Sequence, residues 1–135
     1  MKAKLWTDAG LTKIAYVLET ELETISGMTD IPRTPVNQAE YTALCYALRI
    51  AQQELLDITE LEIYTDSQVM ARQLYGAGVR TLRRNEQVYD AHTDELKMWL
   101  RTALLWLDMF ESVSVTWVPR KKNKAGILLE EQGKK

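Results

Sequence analysis

Three acidic residues, each in a short polar setting, could do chemistry together: Asp8 in "WTDAG", Glu40 in "NQAE" and Asp66 in "YTDSQ". Carboxylates that converge make a hard, oxygen-only donor set. Such a set suits Mg2+ or Mn2+, and nothing in these segments offers soft ligands for zinc. Whether the three meet depends on the elements that carry them.

"KAKLWT" reads as a short strand running into the turn "DAG". Residues 12–19 and 21–27 read as two more strands of a meander, and "TDIPRTP", with two prolines, as a loop. From Asn37 a long helix is predicted, with Leu44, Ala47, Leu48, Ala51 and Leu55 on one face. "LEIYT" is then a strand, and "DSQVMARQLYG" a short helix closed by Gly76. Residues 77–85 form a basic connection to a second long helix over roughly 86–110. The last half of that helix is apolar nearly all round and is expected to be deeply packed. "SVSVTWV" is the last strand, Pro119 stops it, and a short helix begins near Asn123.

The order β-β-β-α-β-α-α-β-α predicts an α/β fold. A meander supplies antiparallel strands, and right-handed crossovers supply parallel ones. The expected architecture is a mixed sheet of five strands with helices on both faces, in one domain spanning residues 1–135. A crossover through the first long helix makes strands one and four parallel neighbours, about 4.8 Å apart. Asp8 and Asp66 then lie side by side at carboxyl ends of strands, where ligand sites of such sheets gather. Glu40 enters from the helix end that faces them.

Composition narrows the setting. A chain of 135 residues with 46% hydrophobic residues can close one core. A net charge of −2 neither demands nor forbids a nucleic-acid partner, so any electrostatic footprint must be local. The single cysteine, Cys45, excludes an internal disulfide and fits a reducing compartment. "MKAKLWTDAG" has no stretch of signal-peptide character, and nowhere do 18 apolar residues run together. The expectation is a soluble, cytoplasmic protein without a membrane partner, and a monomer.

Each acid taken alone has a simpler explanation. Asn37 with Glu40 has the spacing of a capping box. Asp66 is a good N-cap for a helix starting at Ser67, and Asp8 before Ala9-Gly10 is an ordinary turn acid. Capping explains why such residues occur, but not why they would converge.

"WTDAG", "NQAEYTALCYAL", "IYTDSQVMARQLYG" and "VPRKKNKAGILLE" resemble, in order, segments of the type 1 ribonuclease H family, from Trp6 to Leu129. The resemblance implies the ribonuclease H-like fold and hydrolysis of the RNA strand of an RNA–DNA hybrid. It implies that Asp8, Glu40 and Asp66 are catalytic metal ligands for two Mg2+ or Mn2+ ions, with Asp8 bridging them. Two metals about 4 Å apart can activate the attacking water and stabilise the leaving oxygen. Asn37 and Gln68 match positions that read the hybrid's minor groove, where 2′-hydroxyls distinguish RNA from DNA; Gln38 and Ser67 are taken as nucleic-acid contacts beside them. The central helical basic protrusion of some members is missing, and the loop after the last strand, "VPRKKNK", is the short type.

One family position is not filled. The resemblance implies a fourth carboxylate, an Asp in an "N-x-x-A-D-x-L" context, where this chain has Gly126. Its loss should weaken one of the two metal sites most. Three readings stay open. The chain is a weakened or inactive relative, the glycine was introduced to trap a complex, or Glu130 substitutes. Glu130 lies four residues on, on the same helix face, and helical side chains lean toward the N-terminus. A solvated helix end explains Glu130 equally simply.

Arg80, Arg83 and Arg84 cluster before the second long helix, and Arg120, Lys121, Lys122 and Lys124 after the last strand. In an acidic chain such clusters are candidate phosphate contacts, which position a duplex without reading its sequence. His92 reads as a surface residue, and Trp6, Trp99, Trp106 and Trp117 as residues in or beside the core. "YGAGVR" follows a helix rather than a strand, so it does not imply a nucleotide site. The expected function is a metal-dependent ribonuclease H acting on RNA–DNA hybrids. The alternative is a nucleic-acid-binding module that keeps the fold without turnover.

Overall fold

A strand whose alternate residues are Ala3, Leu5, Thr7 and Ala9 can bury one face completely, and β1 (Lys2–Ala9) does so. The structure is a computed structural model that describes residues 1–54, 57–81, 91 and 93–133. β2 (Lys13–Thr20) and β3 (Thr24–Asp30) continue the meander antiparallel to β1. The third strand starts three residues later than expected. Thr20 and Glu23 close a turn, with the Thr20 amide donating to the Glu23 carbonyl at 2.9 Å, so pairing resumes only at Thr24.

α1 (Val36–Glu54) then crosses to β4 (Glu60–Thr65), which pairs parallel with β1 in the register Leu5 with Ile63 and Trp6 with Tyr64. α2 (Gln68–Gly76), the two-residue β5 (Arg80–Thr81) and α3 (Asp94–Leu107) precede β6 (Ser112–Trp117), which is parallel to β4. A single 3-10 turn at Arg120–Lys122 leads into α4 (Lys124–Gly133). The sheet order is β3-β2-β1-β4-β6-β5. The five expected strands are therefore all present, and the short β5 extends the edge beyond β6.

Leu5, Leu18, Leu61, Ile63 and Val115 face α1, α2 and α3 in the main core. α1 meets the sheet largely through Ala39, Ala43, Ala47 and Ala51, whose small side chains permit a close approach. Trp6, Ala15 and Val17 face the other way, against Ala125 and Leu129 of α4. No described helix is long and apolar enough to cross a membrane.

Three local expectations need correction. α2 is not stopped by Gly76, which is its last helical residue. The stop is a Schellman arrangement: Gly78 takes the left-handed conformation (φ 110°), its amide bonds the Tyr75 carbonyl, and the Val79 amide bonds the Leu74 carbonyl. α3 begins at Asp94, with Ala91 and Thr93 outside it; residues 86–90 and 92 of the expected helix lie outside the described residues. Thr93 caps it by accepting from the Leu96 amide at 3.1 Å, and Asp94 and Glu95 follow in the first turn, where acids complement the helix dipole. α3 is also not packed all round. Ala103 and Leu107 are buried, whereas Met98 and Leu105 are exposed, because α3 lies outside α1 and has a packing partner on one side.

Candidate metal centre

Extending the β1–β4 register by two residues from the Trp6–Tyr64 pair brings Asp8 next to Asp66, just past the end of β4. Along β1, Asp8 shares the face of Trp6, which α4 covers, while α1 packs on the opposite face. Glu40, on the second turn of α1, therefore reaches the same strand ends from the other side. One carboxylate oxygen from each of Asp8, Glu40 and Asp66 lies within 4.8 Å of the others. Asp8 is 1% exposed and Glu40 5%, while Asp66 is half-buried.

The local explanations for these acids fail on inspection. Ser67, not Asp66, is the N-cap of α2: its hydroxyl accepts from the Met70 amide at 3.1 Å. Asn37 is not a cap either, since α1 already begins at Val36, and Glu40 does not complete a capping box. Among the described residues, four buried side-chain oxygens have no hydrogen-bond partner. One is Thr7 Oγ1; the other three are Asp8 Oδ2, Glu40 Oε1 and Asp66 Oδ2, one on each member of the cluster.

Buried oxygens without partners are costly, and three on one cluster need an account. Burial first, then the Asp66 charge, pushes Asp8 up to about 7. Burial first, then Asp8 and Asp66, pushes Glu40 up to about 9. The Arg120 charge opposes both shifts without reversing them. A divalent cation would satisfy all three oxygens and cancel the repulsion, and an all-oxygen donor set suits Mg2+ or Mn2+. The residues present therefore fit such an ion.

Two further side chains hold the cluster in place, and neither was singled out as functional from the sequence. Asn123, fully buried, donates from Nδ2 to the Thr7 carbonyl at 2.9 Å. Its Oδ1 accepts from the Ala125 amide at 3.1 Å and, at 3.4 Å, from that of Gly126, so it both caps α4 and ties it to β1 beside Asp8. The visible signal was an asparagine just before a helix start. Trp117 is 39% exposed rather than part of the core, and its Nε1 donates to the Asp66 carbonyl at 3.0 Å. Trp6 is buried and stacks on Tyr64, while Trp99 and Trp106 are partly buried beside the core.

Gly126 is buried against the cluster. A Cβ there would stand 3.3 Å from Asp8 Oδ2, 3.5 Å from Asn123 Cβ and 3.6 Å from the Arg120 carbonyl. Glu130 is exposed and is not one of the converging carboxylates. Asn37 and Gln38 are half-buried on the first turn of α1, and Gln68 is exposed at the start of α2, so all three lie on elements that border the cluster. Ser67 is half-buried and committed to its cap. Arg120, Lys121 and Lys122 are exposed on the 3-10 turn next to α4. Arg80 lies on the edge strand β5, its guanidinium 5.4 Å from the centre of the Tyr75 ring. Arg83, Arg84 and His92 lie outside the described residues.

The reverse transcriptase-like family model matches residues 3–129. The chain belongs to this family. Among solved structures, this reverse transcriptase-like chain is similar to ribonuclease H1 from the halophilic archaeon Halobacterium salinarum. The two are 27% identical, with 96% of this chain and 94% of that one covered and a TM-score of 0.77. LC11-RNase H1, solved in complex with an RNA/DNA hybrid, is 26% identical over 96% of this chain and 94% of its own, with a TM-score of 0.76. An N-terminal RNase H domain from Mycobacterium tuberculosis is 22% identical over 96% and 91%, with a TM-score of 0.79, and shares the fold. Among curated proteins, none matches the chain significantly. The expected ribonuclease H-like fold is therefore present.

Proposed function

We propose that the chain is a ribonuclease H that hydrolyses the RNA strand of RNA–DNA hybrids with a divalent cation, Mg2+ or Mn2+, weakened at one of two metal sites. The observation that carries this reading is the meeting of Asp8, Glu40 and Asp66 at strand ends, each with a buried oxygen left without a partner. Membership of the reverse transcriptase-like family and the likeness to ribonuclease H1 structures, one of them bound to a hybrid, support the substrate class.

A bound cation supplies Lewis-acid polarisation of the scissile phosphate and lowers the pKa of its water. Asp8, Glu40 and Asp66 would hold the cation through the three carboxylate oxygens that converge at the strand ends. Asn37, Gln38 and Gln68 present amides along the rim of the cluster, where they can bond 2′-hydroxyls and base edges in a minor groove. Arg120, Lys121 and Lys122 contact phosphates beside α4. Gly126 contributes no carboxylate, so a cation held on the α4 side of Asp8 would have one ligand fewer.

The test is cleavage of RNA–DNA hybrid, duplex RNA and duplex DNA in Mg2+ or Mn2+, with Asp66→Asn as control. Cleavage of hybrid RNA alone, lost in the control, supports the reading. Activity surviving in Asp66→Asn would overturn the metal assignment. Gly126 also favours a second reading, a hybrid-binding module without turnover; tight hybrid binding with no cleavage in either metal would select it.

A further inference from the structure

Tyr41 and Gln73 are polar yet 0% and 2% exposed. The Tyr41 hydroxyl donates to Gln73 Oε1 at 2.6 Å, linking α1 to the middle of α2. Tyr41 directly follows Glu40, and Gln73 lies on the helix that starts two residues after Asp66. We infer that the Tyr41–Gln73 hydrogen bond is a positioning device, which sets the rotation of α1 and so the angle at which Glu40 meets Asp66. This rests on reading the three carboxylates as a metal site.

Successive helical residues are about 100° apart, so anchoring Tyr41 fixes the direction of Glu40 as well. Most of the other buried side chains near that end of α1 are the methyls of Ala39, Ala43 and Ala47, which define the rotation of a helix weakly, with Leu44 as the one large apolar side chain beside them. The opposite end of the link is held firmly. The Ser67 amide donates to Thr65 Oγ1 at 3.0 Å, and Trp117 Nε1 donates to the Asp66 carbonyl at 3.0 Å. α2 therefore starts from a fixed point, and Gln73 carries that reference across to α1.

The cluster also creates a force that needs opposing. Asp8 and Glu40 are buried and Asp66 half-buried, so ionising the three sets the start of α1 against the ends of β1 and β4 by repulsion. The Tyr41–Gln73 bond itself adds little net stability, because folding exchanges it for bonds to water. What the polar pair adds is direction.

The test uses the whole chain and Mn2+ as probe, measured by titration calorimetry at pH 8, with thermal midpoints of the metal-free protein alongside. Tyr41→Phe removes the hydroxyl that bonds Gln73 Oε1, so it is expected to lose affinity. The double variant Tyr41→Phe with Gln73→Leu replaces both partners by apolar groups and carries the test even if the single variant does not fold. With its midpoint recorded to show that it is folded at the titration temperature, it is expected to bind Mn2+ about tenfold more weakly than the parent chain. Parent-level Mn2+ affinity in the double variant would overturn the inference while leaving the metal site standing. Absence of Mn2+ binding by the parent chain would overturn both.

Discussion

Gly126 backs directly onto Asp8: a Cβ at 126 would lie 3.3 Å from Asp8 Oδ2, itself a buried oxygen without a partner. Position 126 is thus in reach of the carboxylate cluster by geometry, and the absence of a side chain there bears on that cluster more than on helix packing.

Gly126→Asp should restore a ligand on the α4 side. Changes to residues that only support a metal ligand typically alter affinity or activity about 10–100-fold, so a restored ligand should raise hybrid cleavage in Mg2+ by at least about tenfold. The same variant should lower the metal-free thermal midpoint at pH 8. A fourth carboxylate near Asp8 adds repulsion of order 4 kcal/mol at about 4 Å and an effective dielectric of 20. That exceeds the roughly 0.5–1 kcal/mol recovered by removing a helical glycine. Cleavage no faster than the parent's would remove Gly126 from the account of activity.

Asp8 and Glu40 set an unusual pH dependence. Both carboxyls are raised when folded, from 3.8 to about 7 and from 4.5 to about 9. Between about pH 4 and 9 the folded chain therefore binds more protons than the unfolded one, and stability falls as pH rises through that window. Metal-free thermal midpoints should drop from pH 5 to pH 9. Added Mg2+ or Mn2+ should raise the midpoint far more at pH 9 than at pH 5, because binding displaces those protons. A metal-free midpoint that climbs from pH 5 to pH 9 would contradict the buried, repelling cluster.

Asn123→Ala removes the bond to the Thr7 carbonyl and the cap on the Ala125 amide. Loss of a cap and of a fully buried bond should together cost about 2–3 kcal/mol, read from urea unfolding. A loss below about 0.5 kcal/mol would mean that α4 is held by Ala125 and Leu129 alone.

Lys121 and Lys122 test the phosphate contacts without disturbing Arg120, whose charge reaches the carboxylates. Replacing both by alanine should weaken hybrid binding at low salt. It should also flatten the slope of log affinity against log salt by about 2, one for each lost phosphate contact. An unchanged slope would place the hybrid elsewhere.

Much of the site was legible because its signals are local. Strand parity and the right-handed crossover put Asp8 beside Asp66, and four short motifs carried the family resemblance. What misled was also local. "NQAE" and "TDSQ" each have the spacing of a helix cap, yet α1 starts one residue early at Val36, and Ser67 takes the cap of α2. Which residue caps a helix depends on where the backbone turns, and several neighbouring residues satisfy the same preference. Gly76 and Gly78 posed the same choice, decided by which of them takes a positive φ.

The sequence by itself determined the order of the elements apart from the two-residue β5, the mixed sheet and the identity of the three acids. These follow from residue spacing along the chain, which short-range patterns record. Only the tertiary structure decided that each acid keeps a buried oxygen without a partner, that Gly126 stands against Asp8, and that Tyr41 reaches Gln73. Those relations join residues 32 or more positions apart, or depend on burial. Spacing within one segment cannot encode them, because they are set by how the helices pack across the sheet.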